Sequence, residues 1–160
     1  MDDAAFDDLV RRHSAAVTAY ASAVARDRWA AEEAVQETFL RAWKYLDSFH
    51  GSGSFEGWLI RICRRCIIDQ AARFAPEERI DIHGSSYASP SAAGLTETRD
   101  LVRSLPLPQR ECLVLCSVIG YEYEEVAALL NVPIGTVRSR VHRARSTLQE
   151  MLAASRRDSA

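Results

Sequence analysis

Apolar side chains recur in this chain at steps of three and four residues, and this spacing decides which fold class it can adopt. Such a repeat places them on one face of a helix, and the alternation typical of strands is nearly absent. We therefore predict an all-α protein whose first part is a three-helix bundle. The apolar positions of the three helices are Phe6, Leu9, Val10, His13, Val17, Tyr20, Ala21 and Val24, then Ala31, Ala34, Val35, Thr38, Phe39, Ala42, Trp43 and Leu46, then Phe55, Trp58, Leu59, Ile62, Cys63, Cys66 and Ile67.

The second half has the spacing of a helix-turn-helix. A helix that opens in the proline-containing segment 105–108 is predicted to stop at Gly120. A second helix follows over residues 121–130, with Val126, Ala127 and Leu130 facing inward. After a tight break at residues 131–133 a third helix runs from Ile134 to about Leu152. Two helices joined by a three-residue turn form this motif.

The stretch between the two halves has a different composition. Residues 76–97 are acidic, contain several glycines, serines and prolines, and show no apolar period. This composition is typical of a flexible linker. We therefore expect domains over residues 1–75 and 98–153 and a disordered tail over residues 154–160. The predicted fold is two small helical bundles joined by a flexible linker.

Composition excludes several classes of protein. The 160 residues carry a net charge of -2, so the surface is not a uniformly basic coat for nucleic acid. No apolar run reaches the roughly 20 residues that span a bilayer, and the acidic start lacks the features of a secretory signal. Four cysteines without an export signal indicate reduced thiols. We therefore expect a cytoplasmic protein without membrane contact.

A local basic stripe marks the last predicted helix. Residues 138–145 contain four arginines and no acid. Val137 and Val141 occupy its apolar face, which leaves Arg138, His142 and Arg143 on the opposite one. Arginine suits bidentate contact with guanine and phosphate, so the stripe is typical of a recognition helix in the major groove. The alternative is a solvated basic face favoured by the helix dipole.

Two sets of motifs resemble one protein family. Residues 135–140 (GTVRSR) and 143–145 (RAR), with Leu105-Pro106 and residues 124–127 (EEVA), resemble the promoter-binding domain of bacterial sigma factors. Residues 33–43 (EAVQETFLRAW) and 46–49 (LDSF), with Phe55, Trp58, Leu59, Ile62 and Asp69, resemble their core-binding domain. Two domains and a short linker are the layout of the extracytoplasmic-function class. The resemblance implies an alternative sigma factor that directs promoter-specific transcription initiation.

The resemblance also implies three sets of site residues. Reading of the minus-thirty-five element would fall to Thr136, Arg138, Ser139, Arg140, His142 and Arg143. Capture of the melted minus-ten strand would fall to Phe49, His50, Ser54, Trp58, Arg61, Arg64 and Arg65. Core polymerase would dock on Glu33, Gln36, Glu37, Leu40 and Arg41. Two alternatives stay open, since the face around Leu40 could simply be solvated and Phe49 could cap the bundle.

The implied partners are core RNA polymerase, through its clamp helices and flap, promoter DNA in double- and single-stranded form, and an anti-sigma protein. We find no catalytic constellation and expect a non-catalytic subunit without cofactor or metal. The alternative from another class is a self-standing helix-turn-helix regulator, which would bind a palindromic operator tightly without polymerase.

Three positions depart from the resembled pattern. Arg65 stands where the family usually has asparagine, and arginine has donors only whereas an amide can read a base edge with both donor and acceptor. Glu122 stands where a capping serine is common, so we expect slight fraying of that helix. His142 occupies a variable contact position.

The cysteines admit two interpretations. Cys63 and Cys66 have the spacing of a metal or redox pair, but both fall in the predicted buried stripe, where free cysteine packs as a small apolar residue. Cys112 and Cys116 lie one turn apart in the other domain. We favour structural thiols over a zinc or redox role.

Overall fold

A computed structural model describes residues 3–74 and 97–158, and every regular element in these ranges is helical. The predicted all-α class is confirmed. The chain divides into two compact units, residues 1–80 and 81–160, each described here by itself.

The first unit is a bundle of three long helices. These are α1 (Asp3–Val24), α2 (Arg28–Lys44) and α3 (Phe55–Phe74), and each packs on the other two. Asp27 caps α2, because its Oδ1 accepts a hydrogen bond from the Ala30 N–H at 2.8 Å. This bond holds the pKa of Asp27 below its ordinary value. A 3-10 turn, Leu46–Ser48, leads out of α2 towards the loop before α3.

The core of this bundle follows the predicted stripes, and the main differences are at Ile60 and Trp43. Alanines of α2 let the helices approach closely around larger side chains of α1 and α3; the fully buried residues include Val17, Tyr20, Ala21, Ala34, Thr38, Ala42, Leu59, Ile60 and Cys63. Ile60 was not predicted to be inside, but α3 contacts both neighbours and so buries a wider arc than one stripe. Trp43 was predicted to be inside and is 43% exposed. Phe6, near the start of α1, meets its ring edge-on with centroids 4.8 Å apart.

The second unit contains α4 (Glu97–Ser104), α5 (Leu107–Val114), α6 (Tyr123–Leu130) and α7 (Ile134–Asp158). The helices α4, α5 and α6 all pack on α7. A π turn, Leu115–Ile119, continues α5, and Gly120 then ends it with φ 91°, a value that suits glycine. The short α4 was not predicted, because its residues are mostly polar or charged.

The predicted helix-turn-helix is confirmed. Asn131 ends α6 in the left-handed region at φ 54°, which asparagine tolerates better than most residues. The buried side chains of these two helices are Val126 and Leu130 of α6 and Val137 and Val141 of α7. At the start of α6, Glu125 accepts a hydrogen bond from the Glu122 backbone N–H at 2.8 Å. This contact is the reciprocal half of a capping box and offsets the weak cap expected from Glu122.

Two boundary predictions meet the structure differently. Except for Glu97, the predicted linker 76–97 lies outside the described residues. The predicted disordered tail 154–160 is wrong as far as Asp158, because α7 continues to that residue. Good helix formers such as Ala153 and Ala154 propagate the helix, and Arg156 and Arg157 in its last turn interact favourably with its dipole.

Candidate nucleic-acid interface

The first turns of α7 present an exposed basic stripe. Val137, Val141 and Ala144 are buried, which turns Arg138, His142 and Arg143 towards solvent. Among the described residues, neither Arg138 nor Arg143 has an ion-pair partner, and α7 contains no acid before Glu150. The stripe can therefore offer its full positive charge to a polyanion.

The other three residues predicted for this surface are less exposed to solvent. Thr136 and Ser139 are half-buried, and the Ser139 hydroxyl donates to the Thr136 carbonyl oxygen at 3.0 Å. Arg140 is half-buried, and it lies close enough to Cys112 to oppose the rise in the pKa of that thiol, so its side chain turns towards α5. The neighbouring Arg145 donates to Ser117 Oγ at 3.3 Å. The structure thus places Arg138, His142 and Arg143 together on the exposed stripe, and Arg140 lies outside it.

An aromatic cluster covers one end of the first unit. Phe49 meets Phe55 edge-on with ring centroids 5.3 Å apart, and Trp58 lies 5.6 Å from Phe49 and 5.4 Å from Phe55. His13 of α1 joins it at 5.4 Å from Phe55, and its Nδ1 lies 3.1 Å from Glu56 Oε2. Phe49 is half-buried here, so its ring packs on the bundle and keeps part of its surface accessible.

The loop after Phe49 is open and held at its end. Gly51 and Gly53 adopt φ of 73° and 88°, the left-handed region that favours glycine. His50 and Ser54 are exposed. The Ser54 hydroxyl oxygen accepts a hydrogen bond from the Gly57 N–H at 3.0 Å and so caps α3. The loop therefore borders the aromatic cluster without covering it.

The arginines of α3 differ in their surroundings. Arg61 is exposed and Arg64 is half-buried. The side chain of Arg65 is 73% exposed, and its Nε lies 3.1 Å from Asp69 Oδ1 one turn further along. A basic surface thus continues from the open loop along α3.

The third predicted surface lies on α2. Residues at steps of three and four share this face, as expected for a helix: Glu33, Gln36, Glu37, Leu40 and Arg41. Leu40 is 67% exposed, and it lines a shallow recess together with Lys44 and Tyr45. The face therefore offers an apolar centre with a charged rim, which is the usual anatomy of a protein interface.

Arg41 is the most constrained member of that face. Its Nε donates to Glu37 Oε1 at 2.7 Å, and its Nη1 donates to Asp69 Oδ2 of α3 at 3.2 Å. The hydrogen bonds that Arg41 donates to these two carboxylates, the one to Glu37 foremost, raise the pKa of Arg41. Arg41 therefore links α2 to α3 as well as bordering the docking face.

Sequence reasoning missed two exposed aromatic residues, one on α2 and one just after it. Trp29 is 60% exposed, and it lies four residues before Glu33 on the same face. Tyr45 is 51% exposed beside Lys44, whose Nζ lies 5.4 Å from the ring centroid. Extending the helical spacing back from Glu33 to Trp29 is the signal that would have found the first of them.

Each of the two units matches the model of a known protein family. Residues 9–75 match Sigma-70 region 2, and residues 95–148 match Sigma-70 region 4. Together these two matches cover most of the chain. The chain belongs to the sigma-70 family.

Similarity to named relatives places this sigma factor in the extracytoplasmic-function (ECF) group, as its motifs predicted. The ECF RNA polymerase sigma factor EcfG of Rhodopseudomonas palustris is 38% identical over 76% of this chain and 71% of its own length. The ECF RNA polymerase sigma factor SigE of Mycolicibacterium smegmatis is 35% identical over 92% of this chain. This chain spans 62% of the length of that SigE.

Two solved structures share the fold. The sigma factor RpoE of Bartonella quintana, solved with the anti-sigma factor NepR, has a TM-score of 0.78 and 30% identity, covering 92% of this chain and 96% of its own. CnrH, solved with the cytosolic domain of CnrY, has a TM-score of 0.72 and 28% identity, covering 96% and 90%. Membership in this family decides against the self-standing regulator.

The cysteines of this sigma factor are free thiols, of which Cys63, Cys66 and Cys112 are buried and Cys116 is half-buried. Burial raises the pKa of Cys63 to about 12 and that of Cys116 to about 11, and it also raises the pKa of Cys66 and Cys112. Thiolates are the reactive form, so these pKa values describe unreactive side chains. Within residues 3–74 and 97–158, no three His, Cys, Asp or Glu side chains are grouped to hold a metal ion.

The helices of this sigma factor were also compared with the needs of a membrane span. In the part of the chain that the structure describes, none combines the length and the apolar character that crossing a bilayer requires.

Proposed function

We propose that this sigma factor binds core RNA polymerase and directs initiation at promoters through three separate surfaces. The observation that carries the proposal is the stripe of Arg138, His142 and Arg143, exposed without acidic partners on the second helix of a helix-turn-helix. The first unit adds an open loop beside an aromatic cluster and a docking face on α2. The protein supplies recognition and strand capture, and the polymerase supplies the chemistry.

The α7 stripe reads duplex DNA at the minus-thirty-five element. The helix enters the major groove with its first turns, as recognition helices do. Arg138 and Arg143 reach base edges or phosphates with their guanidinium groups, and His142 lies between them. Thr136 and Ser139, at the edge of the stripe, contact the backbone, while Arg140 supports α7 from the side of Cys112.

The loop and aromatic cluster of the first unit take up the melted minus-ten strand. Phe49 and Trp58 form an apolar wall, and His50 and Ser54 provide polar contacts from the open loop. Stacking a single-stranded base on an aromatic ring contributes about 1–3 kcal/mol. Arg61, Arg64 and Arg65 extend this surface along α3 for the negatively charged backbone.

The α2 face docks on the clamp helices of the polymerase, and the second unit contacts the flap. Leu40 is the apolar centre, with Glu33, Gln36, Glu37 and Arg41 around it. Burying a large exposed leucine in an interface contributes about 1.5–3 kcal/mol. The charged rim sets the orientation of the partner.

Two further properties belong to this proposal. RpoE and CnrH are each solved with a partner, an anti-sigma factor in the RpoE structure. By the same family relation, an anti-sigma protein controls this chain and covers its polymerase-binding surfaces. The protein works in the cytoplasm, where polymerase and promoter DNA are found.

The decisive experiment is run-off transcription with sigma-free core polymerase and a genomic promoter library. The expected result is initiation at a shared set of sites only when the chain is added. Duplex DNA binding should be weak for the chain alone and strengthen with core. Tight operator binding without core, or an absence of transcripts from every site, would contradict the proposal.

A further inference from the structure

Four charged side chains join the docking face of α2 to the basic surface of α3. Glu37 Oε1 lies 2.7 Å from Arg41 Nε, Arg41 Nη1 lies 3.2 Å from Asp69 Oδ2, and Asp69 Oδ1 lies 3.1 Å from Arg65 Nε. We call Glu37, Arg41, Asp69 and Arg65 the charge network. Its charges alternate in sign, and Asp69 is the member that serves one arginine with each oxygen.

We propose that Asp69 is a positioning residue that orients Arg65 towards the phosphates of the melted promoter strand. This proposal rests on the proposed function, because it assumes that α3 lies along that strand. It assigns Arg65 to the sugar-phosphate backbone and not to a base edge. The role of Asp69 is exerted through Arg65 and requires no contact of its own with DNA.

The geometry of the pair supports an orienting role. Asp69 engages Arg65 at Nε, which lies 3.1 Å from Oδ1. The side chain of Arg65 is 73% exposed, whereas that of Asp69 is only 30% exposed. A long side chain fixed at Nε loses less conformational freedom when it binds a ligand, and such preorganisation raises affinity. Asp69 therefore holds the base of the guanidinium and presents its outer edge.

Arg41 shares the carboxylate of Asp69 with Arg65. Asp69 Oδ2 pairs with Arg41, whose side chain is 27% exposed and therefore screened less by water. Glu37 pairs with Arg41 in turn, so the four charges of the network balance, and Arg65 is its exposed cationic end.

The chemistry of the group favours phosphate over a base edge. Arginine has donors only, so it cannot match the mixed donor and acceptor pattern that an amide reads. Every nucleotide of a melted strand offers a charged acceptor. Arg65 therefore strengthens strand capture independently of base sequence, and specificity must come from the loop and the aromatic cluster.

A double-mutant cycle in the holoenzyme tests the role of Asp69. Core polymerase is loaded with the wild type, Arg65→Asn, Asp69→Asn or the double variant, and dissociation from a fork-junction DNA carrying a promoter recovered by run-off selection is measured. With Asp69 present, Arg65→Asn should speed dissociation about tenfold, and with Asp69→Asn the same change should cost less than about twofold. The proposal is overturned if Arg65→Asn has an equal or larger effect without Asp69.

Salt and base substitutions identify the group that Arg65 contacts. The slope of log affinity against log salt should become shallower by about 0.7 in Arg65→Asn, the value for one phosphate of a single strand. The ranking of minus-ten base variants should stay the same. A changed ranking with an unchanged salt slope would mean that Arg65 reads a base, and the proposal would fail.

Two controls separate this proposal from simpler causes. Glu150→Gln removes one negative charge from an exposed position of α7, and in that background Arg65→Asn should keep its full effect. The Asp69→Asn variant and the double variant share any loss of folding stability that Asp69→Asn causes. Destabilisation alone therefore cannot shrink the change in dissociation rate that Arg65→Asn produces between these two variants. If wild-type holoenzyme opens promoters but the coupling is absent, only this inference fails. If it opens none, the proposed function fails as well.

Discussion

The two units of this sigma factor differ in whether their charged surface side chains form ion pairs. In the first unit, charged side chains are largely paired with each other: Arg12 with Asp8 at 2.6 Å, Arg28 with Glu32 at 2.9 Å, and the members of the charge network. In the second unit, Arg138 and Arg143 have no acidic partner among the described residues. Both units are small helical bundles, so the fold does not cause this difference.

The contrast indicates which kind of ligand each unit is built for. Unpaired arginines on α7 offer uncompensated charge, which suits the regular phosphate array of duplex DNA. Paired charges contribute little net attraction but set orientation, which suits docking on a protein and holding a single strand against aromatic rings. Four changes test this division, from the largest expected effect to the smallest.

Removing the apolar centre of the α2 face should have the largest effect. Glu37→Lys together with Leu40→Ala deletes the exposed leucine, reverses a rim charge and frees Arg41 from its closest partner. We expect affinity for core polymerase to fall by more than about a hundredfold, measured by co-purification and fluorescence titration. Helical content should be retained, because neither side chain lies in the core.

The matched control for that change is Glu32→Lys on the same helix, whose side chain is 59% exposed and paired with Arg28. It reverses one charge away from Leu40 and should alter core affinity only slightly. If the double variant binds core as tightly as this control, the α2 face is not the docking surface.

Removing the α7 stripe should have the next largest effect. Each arginine that contacts a base contributes about 1–3 kcal/mol, so Arg138→Ala with Arg143→Ala should weaken duplex minus-thirty-five binding by holoenzyme by about a hundredfold or more. The salt dependence should also become shallower. Arg157→Ala, at the exposed far end of α7, provides the comparison. An unaltered sequence preference in the double variant would contradict groove reading.

Truncating Phe49 should reveal how far its ring serves the fold. Its contacts with Phe55 and Trp58 predict that Phe49→Ala lowers the free energy of unfolding of the first unit by about 2 kcal/mol. Urea titration followed by tryptophan fluorescence measures this. His50→Ala, next along the loop and exposed, should not change stability. Unchanged stability with impaired strand capture would make Phe49 a stacking platform alone.

The buried thiols should produce the smallest effect, and only in alkali. Cys63 has its pKa raised from 9.0 to about 12, so between these values the unfolded chain loses a proton that the folded chain keeps. Stability therefore falls as pH rises above 9, by up to about 1.4 kcal/mol per pH unit for this group. Cys63→Ala should flatten that decline, measured by urea unfolding at pH 8 and pH 10. An equally steep decline in the variant would refute the assignment.

Local signals explain what could be predicted from the sequence. The break at Asn131 and Pro133 separates two apolar periods, so the helix-turn-helix and the face that carries Arg138 and Arg143 followed from residues close in the chain. The exposure of Leu40 also followed from helical spacing. Element ends were less predictable: α4 is short and polar, and the polar composition after Leu152 concealed the continuation of α7.

Contacts between distant residues explain what could not be predicted. Arg41 meets Asp69 across 28 positions, and only the packing of α2 on α3 brings them together. Trp43 has the spacing of a core residue but stays 43% exposed, with Phe6 of α1 meeting its ring edge-on. Ile60, by contrast, is buried because α3 packs against both α1 and α2. Periodicity describes one helix, whereas these outcomes depend on what its neighbours cover.

The length of α7 separates two parts of its surface. Beyond the turns that carry the basic stripe, the helix continues to Met151, whose Sδ lies 3.4 Å from the Ser104 hydroxyl of α4. At 1.5 Å per residue, Arg138 and Met151 lie about 20 Å apart along one helix. A protein that binds α4 would therefore contact the far end of α7 and leave the stripe uncovered.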